Sequence, residues 1–366
     1  MKIAILGIKG IPGHHGVEVV VDSLVPHLSD LGHEVTIYGY DSYCSDIDDY
    51  HGARVISVAG SRREALEMVT HMWNASMKAR KEDYDIIHIH SVDPAILAWL
   101  PRSRYGVIVT SHGQAYIRKK WGLLPRMLSK MAEKIFIRVP GVRTSVSKPL
   151  ADYYNLRYQS DVIHIPNGIE IREKPDASYL DKWSLKRSGF FFCSAGRIER
   201  TKGLSTLMQA YKSLDTDIPL VIAGGGEATD HEYFEELKIC APEGVKFTGF
   251  ITGDEFFALY AHAKIFIFPS EYEAMSIALL EGLSFGTPTV YSDIPENEAV
   301  AAGVGFPFRV SDPSDLAVKL EYILLHPEEA QRTGARALEK VKADHSWEAI
   351  AKQYHELYLK MAGESR

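Results

Sequence analysis

Short β-branched segments alternate with amphipathic helical segments along the 366-residue chain, and this alternation constrains the fold more than any other feature. The pattern predicts parallel strands joined by right-handed helical crossovers, and ligands of such sheets bind at the carboxyl ends of the strands. The predicted strands are residues 2–7, 34–39, 85–90, 106–110, 142–146, 161–165, 190–195, 219–223, 245–248, 264–268 and 288–291. We therefore expect an α/β protein whose site lies where strands end.

The alternation is interrupted once, between residues 167 and 188. Asn167-Gly168 is a turn signal, Lys174-Pro175-Asp176 is polar and turn-rich, and a new strand follows. A chain of this length also exceeds one ordinary hydrophobic core. We expect two Rossmann-like parallel-sheet domains that face a central cleft, residues 1–170 and 171–345, with a final helix in 346–366 that packs back on the first domain.

Composition narrows the class of protein. The formal net charge of -7 argues against a general nucleic-acid binder. The three widely spaced cysteines fit a reducing compartment better than a disulfide framework. Because the start of the chain does not resemble a signal peptide, and no apolar run approaches the roughly 20 residues of a transmembrane helix, we expect a cytoplasmic protein.

A glycine turn with two cations follows the strand that begins the second half. Strand 190–195 runs into Gly196 and Arg197, and Lys202-Gly203 precedes a predicted helix. The N–H groups at a helix N-terminus attract anions, so Arg197 and Lys202 at this turn favour a diphosphate ligand. The alternative is that both are solvated surface cations.

A second loop carries two glutamates. The strand that ends at Phe268 is followed by Pro269-Ser270 and by a helix opened by small residues, with Glu273 in the loop and Glu281 two turns into the helix. Carboxylates accept paired hydroxyls well, so one can hold a sugar and the other a ribose. The alternative is a solvated helix face.

These segments, in this order, resemble the retaining glycosyltransferases of family 4, which have the GT-B fold. The similarity rests on Gly196-Arg197 with Lys202-Gly203, Ser270-Glu271-Tyr272-Glu273 through Glu281, Ile165-Pro166-Asn167-Gly168-Ile169, Ser111-His112-Gly113 and the terminal Ser346-Trp347-Glu348. Lys9-Gly10-Ile11-Pro12 and Lys120-Trp121-Gly122 are similar to a subgroup that builds bacterial surface polysaccharides.

The resemblance implies a role for each site residue. Arg197 and Lys202 hold the diphosphate, and Glu281 holds the ribose. The donor sugar is held by Glu273, by the backbone of Ala274, Met275 and Ser276, and by His112 from the first domain. Phe250 lies near the base, and Gly16 belongs to the first loop, where His14-His15-Gly16-Val17-Glu18 is one residue shorter than the family pattern.

The implied reaction transfers a sugar, with retention, from a nucleotide-sugar to a glycan or lipid-linked acceptor. A UDP-sugar is favoured, and no cofactor or metal ion is implied. A nucleotide-sugar epimerase of similar architecture, a non-catalytic nucleotide-sugar sensor and an NAD-dependent oxidoreductase remain alternatives. The oxidoreductase would use Gly7, Gly10 and Gly13, whose spacing departs from the dinucleotide fingerprint.

Three groups of residues suggest a metal site, and we expect none of them to be one. His88, His90 and His112 lie at neighbouring strand ends, but the sequence supplies no partners to orient such ligands. Asp46 with Asp48, and Asp215 with Asp217, resemble metal-binding acidic pairs. The second pair precedes a strand and therefore lies at the edge away from the site.

Positive charge is concentrated in residues 117–148, which hold nine lysines and arginines against one acid, Glu133. Arg126, Lys130, Lys134 and Arg138 form one helical stripe, and the apolar residues Leu124, Met127, Leu128, Met131 and Ile135 form another. The hypothesis is that this segment binds an anionic membrane surface. The alternatives are a core-facing helix with a solvated basic face, or a pocket for an anionic acceptor.

Overall fold

A computed structural model describes residues 1–13, 16–44, 47–61, 63–114, 123–226, 229–273, 275 and 277–364. The chain divides into two compact units: Met1–Glu170 together with Trp347–Arg366 forms the first unit, and Ile171–Ser346 forms the second. In the described part of the chain, no helix is both long enough and apolar enough to cross a membrane.

The helices and strands alternate through both units. The strands are β1 (Lys2–Leu6), β2 (Glu34–Tyr40), β3 (Asp49–Tyr50), β4 (Ala53–Val58), β5 (Ile86–His90), β6 (Val107–Ser111), β7 (Val142–Ser145), β8 (Val162–His164), β9 (Phe191–Gly196), β10 (Leu220–Gly224), β11 (Val245–Gly249), β12 (Ile265–Phe268), β13 (Thr289–Ser292) and β14 (Phe306–Phe308). The helices are α1 (Val17–Asp30), α2 (Asp41–Cys44), α3 (Glu64–Ala79), α4 (Leu123–Phe136), α5 (Lys148–Tyr158), α6 (Leu204–Ser213), α7 (His231–Cys240), α8 (Gly253–His262), α9 (Ile277–Ser284), α10 (Pro295–Ala301), α11 (Pro313–Leu325), α12 (Pro327–Asp344) and α13 (Trp347–Glu364).

Each unit is built on one sheet. The sheet of the first unit has the strand order β3-β4-β2-β1-β5-β6-β7-β8, and all its strand pairs are parallel except β3 with β4. The sheet of the second unit has the order β11-β10-β9-β12-β13-β14 and is parallel throughout. The predicted α/β class with parallel sheets is thus confirmed.

The strand order reverses direction once in each sheet. In the first unit the chain moves outward from β1 to β2 and β4 and then returns to β5, on the other side of β1. The second unit repeats this around β9, with β10 and β11 on one side and β12 on the other. The recorded β9–β12 pairing consists of Ile265 with Phe191 and Phe266 with Phe192, so these strands separate toward their carboxyl ends. Such reversal points are where open α/β sheets bind ligands.

Burial strongly lowers the pKa of five histidines in the described part of the first unit, so each of these five stays neutral. Burial lowers the pKa of His33, His71 and His112 to about 4 and that of His88 to about 3, and it holds the pKa of His90 well below its usual value. An unfolded histidine takes up a proton near pH 6.5. Between these values the unfolded chain binds more protons than the folded chain, so acid destabilises the unit.

His71 offers a test, because its ring is 1 % exposed and stacks on Tyr40 at 3.7 Å, a contact that phenylalanine can keep. We expect the free energy of unfolding to fall from pH 7 to pH 5, and His71→Phe to reduce that fall by about 2 kcal/mol. Urea denaturation at pH 7 and at pH 5 measures the free energy of unfolding of each variant. His231→Gln, which changes an exposed ring, is the control and should keep the wild-type pH dependence. An equal fall in His71→Phe and wild type would contradict the prediction.

Candidate functional site

The loop after β9 is shaped by two glycines with left-handed backbone conformation. Gly196 ends the strand with φ +60°, and Gly203, with φ +65°, directly precedes α6 after a short 3-10 turn at Arg200–Lys202. A Cβ atom at position 203 would overlap the carbonyl oxygen of Pro269, which follows β12. Only glycine therefore allows the loops after β9 and β12 to approach this closely.

Two polar contacts also join these loops. The backbone N–H of Glu271 donates to the carbonyl oxygen of Thr201 at 2.8 Å. Lys202 Nζ lies 2.6 Å from Glu273 Oε1, and the two side chains are only 17 % and 13 % exposed. The structure thus brings together two residues that the sequence placed in separate motifs.

Arg197 supplies a second cation to the same edge of the sheet. Among the described residues, its guanidinium forms an ion pair only with Glu199, with a distance of 3.9 Å between Nη2 and Oε1. The Arg197 side chain is 36 % exposed. At that distance and exposure the pair holds the guanidinium weakly. Arg197 and the N-terminus of α6 therefore remain able to meet an anion.

A run of three glycines, Gly224-Gly225-Gly226, begins at the last residue of the neighbouring strand β10. Gly225 donates its N–H to the carbonyl oxygen of Gly196 at 2.7 Å. Phe250 follows β11 and is 56 % exposed. A Cβ atom on Gly225 would lie 3.4 Å from the backbone nitrogen of Phe250, and one on Gly226 would lie 3.9 Å from its ring atom Cδ2. This glycine-lined edge beside an exposed ring is suited to a flat ring system. The sequence analysis missed the three glycines, although a triple glycine at a strand end was a readable signal.

Glu281 occupies a different environment from Glu273. It lies one turn into α9, not two as predicted, because α9 begins at Ile277. Burial raises the pKa of Glu281 to about 7, against the opposing effects of Tyr260 and the positive charge of Arg172. The Tyr260 hydroxyl lies beside Glu281 and Ser194. Among the described residues, neither of them is at a distance and angle that make a well-formed hydrogen bond with this hydroxyl. Glu281 is thus a half-buried, desolvated carboxyl group that lies beside the Tyr260 hydroxyl.

The remaining predicted contacts of the second unit lie before α9. Met275 is a half-buried residue in the bend that precedes the helix. Ala274 and Ser276 lie outside the described residues.

The first unit holds the other two predicted site residues. Gly16 precedes α1 with φ +60° and is exposed. His112 directly follows β6, is half-buried, and its Nε2 lies 3.0 Å from Nδ1 of His90 at the end of β5. Both histidines lie at carboxyl ends of strands: β5 is the neighbour of β1, the strand at which this sheet reverses, and β6 is the next strand along.

The described part of the chain contains no group of three histidine, cysteine or acidic side chains that could hold a metal ion. Within the histidine cluster, His88 has other partners: Nδ1 lies 2.9 Å from the Tyr358 hydroxyl, and Nε2 lies 2.7 Å from Thr110 Oγ1. The edge of the second sheet instead offers two cations, a helix N-terminus and two carboxyl groups, a combination suited to an anionic ligand rich in hydroxyls.

The sequence matches two family models, one in each half. Residues 14–173 match the model described as Glycosyltransferase Family 4, and residues 178–340 match that of Glycosyl transferases group 1. Among curated relatives, the O-antigen chain mannosyltransferase C of Escherichia coli is 27 % identical over 76 % of each chain. The phosphatidyl-myo-inositol mannosyltransferase of Mycolicibacterium smegmatis is 26 % identical over 96 % of this chain and 92 % of the relative.

Solved structures share the architecture. Sucrose-phosphate synthase from Thermosynechococcus elongatus superposes with a TM-score of 0.83 at 22 % identity, over 99 % of both chains. HepE of Anabaena, solved in complex with UDP and glucose, superposes with a TM-score of 0.79 at 16 % identity, over 98 % of this chain and 100 % of the other. The fold is therefore GT-B, and with a family model matched in each half, this chain belongs to family 4 of the glycosyltransferases.

Proposed function

We propose that this glycosyltransferase transfers a sugar from a nucleoside diphosphate sugar, with retention of anomeric configuration, to a glycan or lipid-linked acceptor of a bacterial surface polysaccharide. The observation that carries the proposal is the nearly buried Lys202–Glu273 pair at the reversal point of the second sheet. This pair supports the proposal because a cation able to bind a diphosphate contacts a carboxylate able to bind the attached sugar.

Each predicted residue keeps its role in this proposal. Arg197 and Lys202 bind the diphosphate and stabilise the departing nucleotide, and Glu281 binds the ribose. Phe250 lies along the base. Glu273 and the backbone of Ala274, Met275 and Ser276 bind the sugar, and His112 and Gly16 act from the first unit.

The proposed mechanism uses no protein nucleophile. The engagement of Glu273 by Lys202 supports this, because a carboxylate held in an ion pair at 2.6 Å is a poor nucleophile. The departing phosphate then assists attack of the acceptor hydroxyl on the same face of the sugar. Arg197, Lys202 and the N-terminus of α6 supply the positive charge that a divalent ion would otherwise provide.

A UDP-sugar is the favoured donor, and the UDP and glucose in the HepE structure support testing UDP-glucose first. The mannosyltransferases among the relatives support testing a mannose donor beside it.

The helix α4 turns both polar and apolar side chains inward and leaves a second set of apolar residues exposed. The residues that point inward include Ser129, Glu133 and Phe136, and the Glu133 carboxylate accepts hydrogen bonds from Gln114, Tyr154 and Tyr158. Its outer apolar residues are Met127, Leu128, Met131 and Ile135, which are 62, 56, 56 and 37 % exposed. The four described residues of this apolar stripe therefore do not face the core, whereas Ala132 and Phe136 of the same helix do. The basic residues Lys130 and Lys134 of the helix are exposed, as the core-facing alternative expected.

We propose that this outer face attaches the protein, from the cytoplasm, to the inner face of the plasma membrane, within the basic segment 117–148. Lys130, Lys134 and Arg138 are exposed on the same helix or just beyond its end, and a cavity of about 390 Å³ is lined by Lys134, Arg138 and Arg143. Positive charge beside an exposed apolar stripe complements an anionic bilayer. A membrane site would also bring the enzyme to a lipid-linked acceptor.

Lys202 tests the transfer reaction. Lys202→Ala should lower kcat by about a hundredfold, because the lost charge acts mainly when the phosphate departs. Turnover of radiolabelled donor with a lipid-linked acceptor, in the presence of EDTA, measures it. The control is Arg200→Ala, which removes a neighbouring cation that pairs with Glu236 at 2.8 Å. A near-normal kcat with only a raised KM would refute the leaving-group role, and a requirement for magnesium or manganese would refute metal independence.

The two glutamates should separate nucleotide binding from sugar binding. Glu281→Ala should weaken binding of UDP by about tenfold, because its carboxyl group meets the ribose, which UDP contains. Glu273→Ala should leave UDP affinity nearly unchanged and weaken only the complete donor. Isothermal titration calorimetry with UDP and UDP-glucose measures both, and the reverse order would show that the assignments are exchanged.

Membrane attachment should depend on the outer face of α4. Wild type should co-sediment with vesicles that contain anionic lipid, at low salt and not at high salt. Met127→Ser combined with Leu128→Ser and Met131→Ser should abolish this, whereas Ile239→Ser with Leu325→Ser, which changes residues 83 and 77 % exposed in the second unit, should not. If the wild-type protein does not co-sediment with anionic vesicles at low salt, the membrane proposal is overturned.

A further inference from the structure

His90 is a buried histidine that none of the assigned roles uses. It is fully buried at the end of β5, and its ring lies between those of His88 and His112, with centroids 4.2 and 5.3 Å away and both stacked within 28° of parallel. Its Nδ1 atom makes the 3.0 Å contact with Nε2 of His112. The residue thus contacts the one side chain of the first unit to which a role toward the sugar is assigned.

The backbone around His90 is fixed from both sides. His90 pairs with Thr110 of β6, and the next residue, Ser91, has φ +80° and donates its N–H to the Thr110 carbonyl oxygen at 2.9 Å. On the β1 side, Gly7 lies so close that a Cβ atom there would overlap the carbonyl oxygen of His90. Because His88 is held by Tyr358 and Thr110, the ring stacked on His90 is fixed as well.

The contact between two neutral imidazoles requires one N–H and one bare nitrogen, so two arrangements exist. Either His90 donates from Nδ1 to His112, or His112 donates from Nε2 to His90. In the second arrangement the proton of His90 lies on Nε2, and this atom is buried without a hydrogen-bond partner among the described residues. In folded proteins, a buried backbone N–H that lacks an acceptor is rarer than a buried carbonyl oxygen that lacks a donor. If the same holds for ring nitrogens, a bare Nε2 is preferred to a protonated one, which favours the first arrangement.

We propose that His90 is a positioning residue: it donates its Nδ1–H to His112 Nε2 and thereby holds His112 in the tautomer whose Nδ1–H is presented to the transferred sugar. The hydrogen bond made by one ring nitrogen of a histidine determines the state of the other. His112 then acts as a hydrogen-bond donor toward a sugar oxygen. The ligand part of this inference rests on the proposed function, whereas the tautomer does not.

Nuclear magnetic resonance of protein labelled with ¹⁵N-histidine tests the tautomer without any activity measurement. His112 is assigned by the signal that His112→Ala removes. In wild type, His112 should show a protonated Nδ1 and a bare Nε2, and in His90→Phe the two tautomers should exchange. A wild-type His112 that is protonated on Nε2, or that already exchanges between tautomers, would overturn the inference.

Kinetics separate a positioning role from a merely structural one. His90→Phe keeps the stacked ring and should lower kcat by about fivefold to tenfold, the scale of one neutral hydrogen bond, with unchanged UDP affinity. His90→Asn, whose amide nitrogen can replace Nδ1, should restore most of the loss, and His90→Gln should not.

A double-mutant cycle completes the test. His90→Phe should cost no further activity in a His112→Ala background, because the two residues act through one contact. Additive losses would indicate a structural effect and overturn the positioning role. If His112→Ala itself leaves transfer unchanged, the assigned role of His112 fails, while the tautomer measured in wild type still decides the inference about His90.

Discussion

The close approach of Gly203 to the carbonyl oxygen of Pro269 is the contact on which the candidate donor site depends. The loops after β9 and β12 belong to strands that separate before their ends, so strand pairing alone does not hold them together. The missing side chain at position 203 lets the loops meet, and the Glu271–Thr201 hydrogen bond then fixes their separation. Lys202 and Glu273 form an ion pair because of this packing, since they are 71 positions apart in the sequence.

The two units manage buried polar groups in different ways. The second unit pairs the side chains of Lys202 and Glu273, and removing one partner would leave the other charge poorly solvated. Desolvation raises the pKa of the half-buried Glu281 to about 7, so this carboxyl group can both donate and accept near neutral pH. In the first unit, burial keeps His88 and His90 neutral, so these two act through hydrogen bonds and stacking rather than through charge.

The sheets were predictable because their central strands are continuous β-branched or aromatic runs that are buried on both faces. Three outer strands, β3, β4 and β14, were missed. In β4, Arg54 and Ser57 interrupt the apolar run, and β14 contains Pro307, which a strand tolerates at the edge of a sheet. The glycine turn and the cations at 197 and 202 could also be found from sequence, because each signal is local.

Features that depend on packing could not be found in this way. Periodicity showed two stripes on α4 but does not state which stripe is turned inward, and the buried Glu133 would have been assigned to solvent by its charge alone. Two contacts join residues that end different strands or lie in the loops after them: Lys202 with Glu273, and His90 with His112. Their roles toward a ligand stay predictions.

The last helix, α13, belongs to the first unit although the whole second unit precedes it in the chain. Its Tyr358 hydroxyl contacts His88, and Trp347 packs where a side chain on Gly168 would lie. During synthesis on a ribosome, the residues up to Glu170 therefore emerge long before the segment that covers their histidines. The second unit is continuous in sequence and can complete its fold first, whereas the first unit, whose strands all emerge earlier, gains its last helix only when the final residues leave the exit tunnel.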